Sequence, residues 1–157
     1  MRTLLFASLV TLAAAPALAQ LPNPYGTSIN VAEAKKIAAM SVAEANKNNW
    51  KMAIAIVDIS GDLVYFEKID GTQAASVQIA QDKARSAARF KRPTKALQDG
   101  LAAGGAGLRL LALQGAVPVE GGLPILMDGK IIGAIGASGG TSEQDGQTAK
   151  AGADSVK

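Results

Sequence analysis

One stretch near the end of the chain constrains its fold more than any other. Residues 123–127 and 130–137 are apolar runs rich in isoleucine and leucine, and the pair Asp128-Gly129 separates them. This pair suits the positive φ angles of a type I′ turn, so the stretch predicts a β-hairpin. Glycines cluster around the same hairpin, and glycine in a strand costs stability unless a bulge or a close approach requires it. We therefore expect a helix, a second subunit or a ligand to pack tightly there.

The rest of the chain predicts alternating helices and strands. Hairpins make a sheet antiparallel, and alanine-rich helices can lie close against it, so we predict one α+β domain with an antiparallel β-sheet flanked by α-helices. A capping box of Asn30 and Glu33 starts the first helix, which is followed by a second hairpin. The predicted elements are a helix at 31–45, strands at 52–58 and 63–69, helices at 75–90 and 95–102, a short strand at 108–113, and a last helix from Thr141.

The first residues have the pattern of a secretory signal. Arg2 precedes an apolar run at 4–12, and Ala17-Leu18-Ala19 is a small-x-small cleavage site. The predicted organisation is a signal peptide at 1–19, an N-terminal arm at 20–29 and one domain at 30–157. We expect a periplasmic or secreted protein without a membrane span in its mature chain, because the apolar run is too short for one.

The chain contains no histidine and no cysteine. These absences exclude Ser-His-Asp and Cys-His catalysis, zinc sites built on nitrogen and sulfur, and histidine-ligated haem. The formal net charge is only +3, with neither a basic run nor an aromatic platform, so a nucleic-acid partner is not expected. Whether the protein is an enzyme stays open.

Several sequence blocks, in order, resemble one known family. They are Trp50 to Ile69, the Lys83-Ala84-Arg85-Ser86-Ala87 helix with Phe90-x-Arg92-Pro93-Thr94, and Gly121-Gly122-Leu123-Pro124-Ile125 through Gly133-Ala134-Ile135-Gly136. Together they resemble the GlcG/HbpS-like family of haem-binding and haem-degrading proteins.

This resemblance implies a fold, an assembly and a ligand. It implies a profilin-like, α/β/α layered domain that forms homo-oligomers, with haem as the expected cofactor. It also implies that Thr94 is a weak neighbour of haem iron, because a threonine in the matching motif of secreted members lies beside the iron. No other metal site is expected.

Six residues are the candidate ligand-binding residues: Lys83, Phe90, Arg92, Thr94, Gly121 and Gly122. Lys83 falls within the apolar arc of its helix, so it either extends its ammonium to water or holds an anionic group of a ligand or a buried acid. Thr94 either caps the helix at 95–102 or approaches the iron. Lys83 and Arg92 would pair with propionates, and Phe90 would lie on the apolar macrocycle. The Gly121-Gly122 amides would bind a carboxylate or only form a bulge.

Three functions remain open at this point. The first is an exported, oligomeric binding protein for haem or a related carboxylated planar cofactor, with a haem-degrading or haem-sensing role. The second is a small organic-acid-processing enzyme or accessory protein, in which Lys83 and the Gly121-Gly122 amides fix a carboxylate. The third is a structural or partner-binding assembly protein.

Overall fold

The structure is a computed structural model that describes residues 22–156. The predicted signal peptide lies outside these residues. Among the residues that are described, no helix is both long enough and apolar enough to cross a membrane.

An antiparallel sheet of four strands forms the centre of the domain. The strands are β1 (Ala53–Val57), β2 (Leu63–Lys68), β3 (Gly122–Met127) and β4 (Lys130–Ser138), and they lie in the order β2-β1-β4-β3. Both predicted hairpins are confirmed. Asp128 and Gly129 have φ angles of 50° and 71°, as the predicted type I′ turn requires.

Helices cover both faces of the sheet, which confirms the predicted α+β fold. They are α1 (Val31–Lys47), α2 (Ser76–Phe90), α3 (Thr94–Ala102) and α4 (Ser142–Ala153). Side chains of α1 and α4 share an apolar core with Ile54, Ile56 and Ile135, whereas α2 packs its alanines against Ala53 and Ala55. The predicted capping box of α1 is present, and Thr141 with Gln144 forms a second one at α4.

The close packing expected at the glycine-rich hairpin comes from a helix. A Cβ added to Gly136 would lie 2.6 Å from the backbone nitrogen of Ala84 and would overlap the carbonyl oxygen of Ala80. Only glycine therefore lets α2 approach β4 this closely.

The predicted strand at 108–113 is wrong, because this segment forms part of a 3-10 helix, Gly105–Ala112. A Cβ on Gly107 would overlap the carbonyl oxygen of Gly100, so two glycines let the segment lie directly on α3. Leu110 also packs there, 3.2 Å from the position of a Cβ on Gly100. The segment thus satisfies its backbone locally and packs on a helix instead of the sheet.

The N-terminal arm is fixed beside β4. β1 pairs with Ala134 to Ser138 of β4, and the arm lies alongside the preceding part of the same strand. The Ile131 amide donates to the Pro24 carbonyl at 2.8 Å, and the Gly26 amide donates to the Ile131 carbonyl at 2.8 Å. Residues 24–26 therefore extend the sheet beyond the end of β1.

Candidate functional site

Two adjoining hollows run between the start of α3, the edge strand β3 and α4. Their volumes are about 430 Å³ and about 350 Å³, and both are lined by Pro93, Leu123 and Lys150. We call the two hollows together the α3–α4 groove. Each is large enough for a small organic molecule.

The floor of the groove is an apolar stretch of β3. Leu123, Pro124 and Leu126 line the smaller hollow. Pro124 has no N–H group, so this part of the sheet edge cannot accept a regular additional strand. The edge is therefore better suited to contact with an apolar surface than to strand addition.

Charged side chains stand around this floor. Lys91 lines the smaller hollow, Lys95 the larger one, and Lys150 both. Lys95 Nζ lies 2.8 Å from Asp99, and this hydrogen bond raises the pKa of Lys95 above its usual value. Lys150 pairs with Asp154 one turn along α4. The larger hollow also contains Glu120 and Glu143, and the smaller one Asp154, so the groove offers three cations together with three acids.

Behind the groove lies a buried ion pair. The side chain of Lys83 is 1% exposed, and its Nζ donates to Asp145 Oδ2 at 2.7 Å and to the Ala137 carbonyl at 3.3 Å. The other carboxylate oxygen of Asp145 accepts from the Gly140 amide at 3.0 Å. Burial raises the pKa of Asp145, and the bonds from Lys83 and Gly140 offset part of that rise. The prediction that Lys83 reaches water is wrong, and the alternative that it holds a buried acid is confirmed.

Gly121 and Gly122 form the wall between the groove and this ion pair. Gly121 has a φ of 123°, and a Cβ there would lie 2.8 Å from Lys83 Nζ. The Gly122 amide donates to Thr94 Oγ1 at 2.9 Å, and Thr94 Oγ1 donates to the Gly122 carbonyl at 3.4 Å. The Gly122 amide is thus bonded within the protein instead of facing an anion. We use "the glycine wall" for Gly121 and Gly122.

Thr94 is fully buried behind the groove. The predicted cap is wrong, since α3 begins at Thr94 itself, follows Pro93 and has no side-chain cap. Its hydroxyl instead joins the start of α3 to β3. A contact with haem iron would require this buried hydroxyl to become accessible from the groove.

Phe90 and Arg92 do not line the groove. Phe90 is half-buried, and the exposed Arg92 donates from Nε to the Phe90 carbonyl at 3.0 Å. The structure therefore brings Lys83, Thr94, Gly121 and Gly122 together and leaves Phe90 and Arg92 apart from them.

Sequence reasoning missed the groove lysines and Asp145. Asp145 lies in the first turn of α4, where the helix dipole alone already explains an acid. Lys91, Lys95 and Lys150 are spread over three elements, and nothing in their local sequence marks them as neighbours. Across residues 22–156 no cluster of three acidic, histidine or cysteine side chains could hold a metal ion.

Comparison with known proteins adds the family context. The family model described as "Haem degrading protein HbpS-like" matches residues 29–154. Protein GlcG of Escherichia coli K12 is 40% identical over 105 residues, which are 67% of this chain and 77% of GlcG.

Solved structures share the fold over most of the chain. A double mutant of HbpS from Streptomyces reticuli superposes with a TM-score of 0.77 at 28% identity, covering 96% of this chain and 99% of HbpS. The crystal structure of a PduOC:heme complex has a TM-score of 0.74 at 24% identity, covering 83% of this chain and 96% of PduOC. Both likenesses agree with the α+β architecture.

Proposed function

Because this chain belongs to the family of HbpS-like haem-degrading proteins, we propose that it binds haem or a related carboxylated tetrapyrrole. The α3–α4 groove is the proposed site. The observation that supports it is the combination of an apolar β3 floor with the surrounding cations Lys91, Lys95 and Lys150. The planar ring would bury its face on Leu123 and Pro124, and its carboxylates would pair with the lysines.

The residues of this chain do not fit strong coordination of the haem iron. Histidine and cysteine are absent from the sequence, and the Thr94 hydroxyl is buried and bonded to Gly122. Affinity would instead come from burial of the ring and from pairing of its carboxylates. Metal-free protoporphyrin should therefore bind about as tightly as haem.

We also propose that the protein is exported and that it acts as a homo-oligomer. The signal-like residues 1–19 support export to the periplasm or secretion. Leu108, Leu111 and Leu113 of the segment after α3 are 54%, 71% and 46% exposed, and such an apolar surface suits contact with a second copy of the chain.

Two measurements test these two parts. The mass of the protein recovered from the periplasm or the medium should match a chain that begins at Gln20, and an uncleaved chain retained in the cytoplasm would contradict export. Sedimentation of the mature chain should give a defined oligomer that Leu111→Glu dissociates. A wild-type monomer at micromolar concentration would contradict the assembly.

The organic-acid alternative loses two of the groups on which it depended. Lys83 is bonded to Asp145, and the Gly122 amide to Thr94, so neither is offered to a substrate carboxylate.

A role in haem degradation or sensing would act through the same groove. Product analysis after incubation with haem and a reductant tests degradation, and unchanged haem would count against it.

The deciding experiment is a titration with hemin and, separately, with protoporphyrin IX. The wild-type chain should saturate near one ligand per subunit. The double variant Lys95→Glu/Lys150→Glu should bind at least about tenfold more weakly, because it replaces two cations of the groove by anions.

A charge-matched control separates the groove from general electrostatics. Lys35 lies on α1 and Lys68 at the end of β2, and both are exposed outside the groove. Lys35→Glu/Lys68→Glu should therefore bind like the wild type. Equal weakening in both double variants would remove the groove as the site, and a wild type that binds neither ligand would overturn the proposed function.

A further inference from the structure

Lys91 occupies an unusual backbone conformation for its residue type. It ends α2 with φ 53° and ψ 38°, which is the left-handed region where glycine is the common residue. Its amide still donates to the carbonyls of the last helical turn. A lysine is less favourable than glycine in this conformation, so its side chain is expected to make a contribution that glycine cannot.

The side chain of Lys91 rests on an aromatic ring of the N-terminal arm. Its Nζ lies 4.0 Å from the centroid of the Tyr25 ring, which is a cation–π contact. The Tyr25 hydroxyl donates to the Ala88 carbonyl at 2.9 Å, so the ring is held against the last turn of α2. A cation–π contact occupies one side of the ammonium and leaves N–H donors for another acceptor.

The arm that carries Tyr25 is itself part of the groove. Asn23 lines the same 350 Å³ hollow as Lys91. The bonds of Pro24 and Gly26 to Ile131 fix the arm on both sides of Tyr25. The arm therefore brings one lining residue and one supporting ring to the groove.

We infer that the N-terminal arm is a wall of the binding groove and that Tyr25 is a positioning residue, which holds Lys91 where it can bind a carboxylate of the ligand. This inference rests on the proposed function and adds to it the identity of one carboxylate-binding residue. Tyr25 acts through Lys91 and does not contact the ligand. The ion pairs found among residues 22–156 do not include Lys91, so its ammonium is not committed to an acid of the described fold.

Lys91→Gly is the most informative variant, because it removes the side chain and relieves the left-handed backbone at the same time. We expect its melting temperature to stay within about 3 °C of the wild type. Its affinity for protoporphyrin IX should fall about tenfold, whereas its affinity for protoporphyrin IX dimethyl ester should not change. A purely structural role for Lys91 would not distinguish the acid from the ester.

Two substitutions of Tyr25 test the positioning role. Tyr25→Phe keeps the ring and should retain most of the preference for the free acid over the ester. Tyr25→Leu removes the ring and should lose about threefold or more of that preference. Tyr25→Leu/Lys91→Gly should be no weaker than Lys91→Gly alone, because the two residues would act as one unit.

The outcomes separate this inference from the proposed function. A wild type that binds neither porphyrin overturns the proposed function. A wild type that binds both, combined with an unchanged acid preference in Lys91→Gly and Tyr25→Leu, overturns only this inference. Fully additive losses in the double variant would also overturn it, since Tyr25 would then not act through Lys91.

Discussion

The lysines on the two sides of the glycine wall differ in their exposure and in their ionic partners. On the inner side, the Lys83 side chain is 1% exposed and paired with a buried carboxylate. On the groove side, the side chains of Lys95 and Lys150 are 52% and 66% exposed, and each pairs with an acid of its own helix. The buried lysine joins α2, α4 and β4 at one point, whereas the groove lysines can exchange their partners for a ligand. Lys83, which the sequence marks because it lies within the apolar arc of its helix, therefore stabilises the fold. The groove lysines, which are suited to binding, have no distinguishing sequence pattern.

The largest expected effect comes from breaking the inner pair. Lys83→Met leaves the Asp145 carboxylate buried without its ammonium, which should lower the free energy of unfolding by about 3–5 kcal/mol. Urea denaturation followed by circular dichroism measures this loss. Lys95→Met is the matched control and should cost less than about 1 kcal/mol. Equal losses in the free energy of unfolding for Lys83→Met and Lys95→Met would contradict this difference between the buried and the exposed lysines.

The cost of Lys83→Met should also depend on pH. Burial already raises the pKa of Asp145 above 3.8, and loss of the ammonium would raise it further. A raised pKa in the folded state means that stability is retained at low pH and lost as pH rises through that pKa. The loss in the free energy of unfolding of Lys83→Met, relative to the wild type, should therefore be smallest in acid and grow above a pH of about 3.8. Lys83→Met/Asp145→Asn should lack this dependence. A flat profile for the single variant would contradict the expectation that loss of the Lys83 ammonium raises the pKa of Asp145.

A smaller effect is expected at the bond between α3 and the wall. Thr94→Val keeps the shape of the side chain but leaves the buried Gly122 amide without its acceptor, at a cost of about 1–3 kcal/mol in the free energy of unfolding. Thr94→Ser keeps the hydroxyl and should cost about 0.8 kcal/mol for the lost methyl group. Hemin binding measured on both folded variants should be alike. A Soret band lost only in Thr94→Val would instead support Thr94 as the iron neighbour.

The smallest change in stability should come from the groove side. Lys95→Gln/Lys150→Gln removes two exposed pairs and should alter the free energy of unfolding by less than about 1 kcal/mol. Its affinity for protoporphyrin should nevertheless fall, and the remaining affinity should depend less on salt than that of the wild type. A variant that is strongly destabilised would show that these lysines also belong to the fold.

Local sequence signals were sufficient for most of the secondary structure. Asn30 with Glu33 marked the start of α1, and Asp128-Gly129 marked the β3–β4 turn, because each motif satisfies its own backbone within a few residues. The prediction for residues 108–113 was wrong because the structure of this segment depends on a contact outside its local sequence. Its leucines suggested a strand, but the contact between Gly100 and Gly107 that places it on α3 has no signature in the leucines themselves.

The site was predicted less completely than the fold. Gly121 and Gly122 were identified and do line the larger hollow. The partner of Lys83 lies 62 residues away, and an acid at the start of a helix is already explained by the helix dipole. Lys91 was overlooked between Phe90 and Arg92, since its importance depends on a backbone angle and on a ring from the arm. Long-range partners and backbone conformation are the information that a single sequence does not display.

The position of the arm beside β4 has a consequence for the order of folding. Residues 24–26 bond to Ile131, which belongs to a strand made near the other end of the chain, so the arm cannot dock before that hairpin exists. In pulse-labelled hydrogen exchange during refolding, the Gly26 amide should gain protection after the amides of β1, and simultaneous protection would contradict this order. The N-terminal arm, which leaves the ribosome early, would thus dock late. A newly made chain would pass through a stage in which its sheet is complete but its groove still lacks one wall.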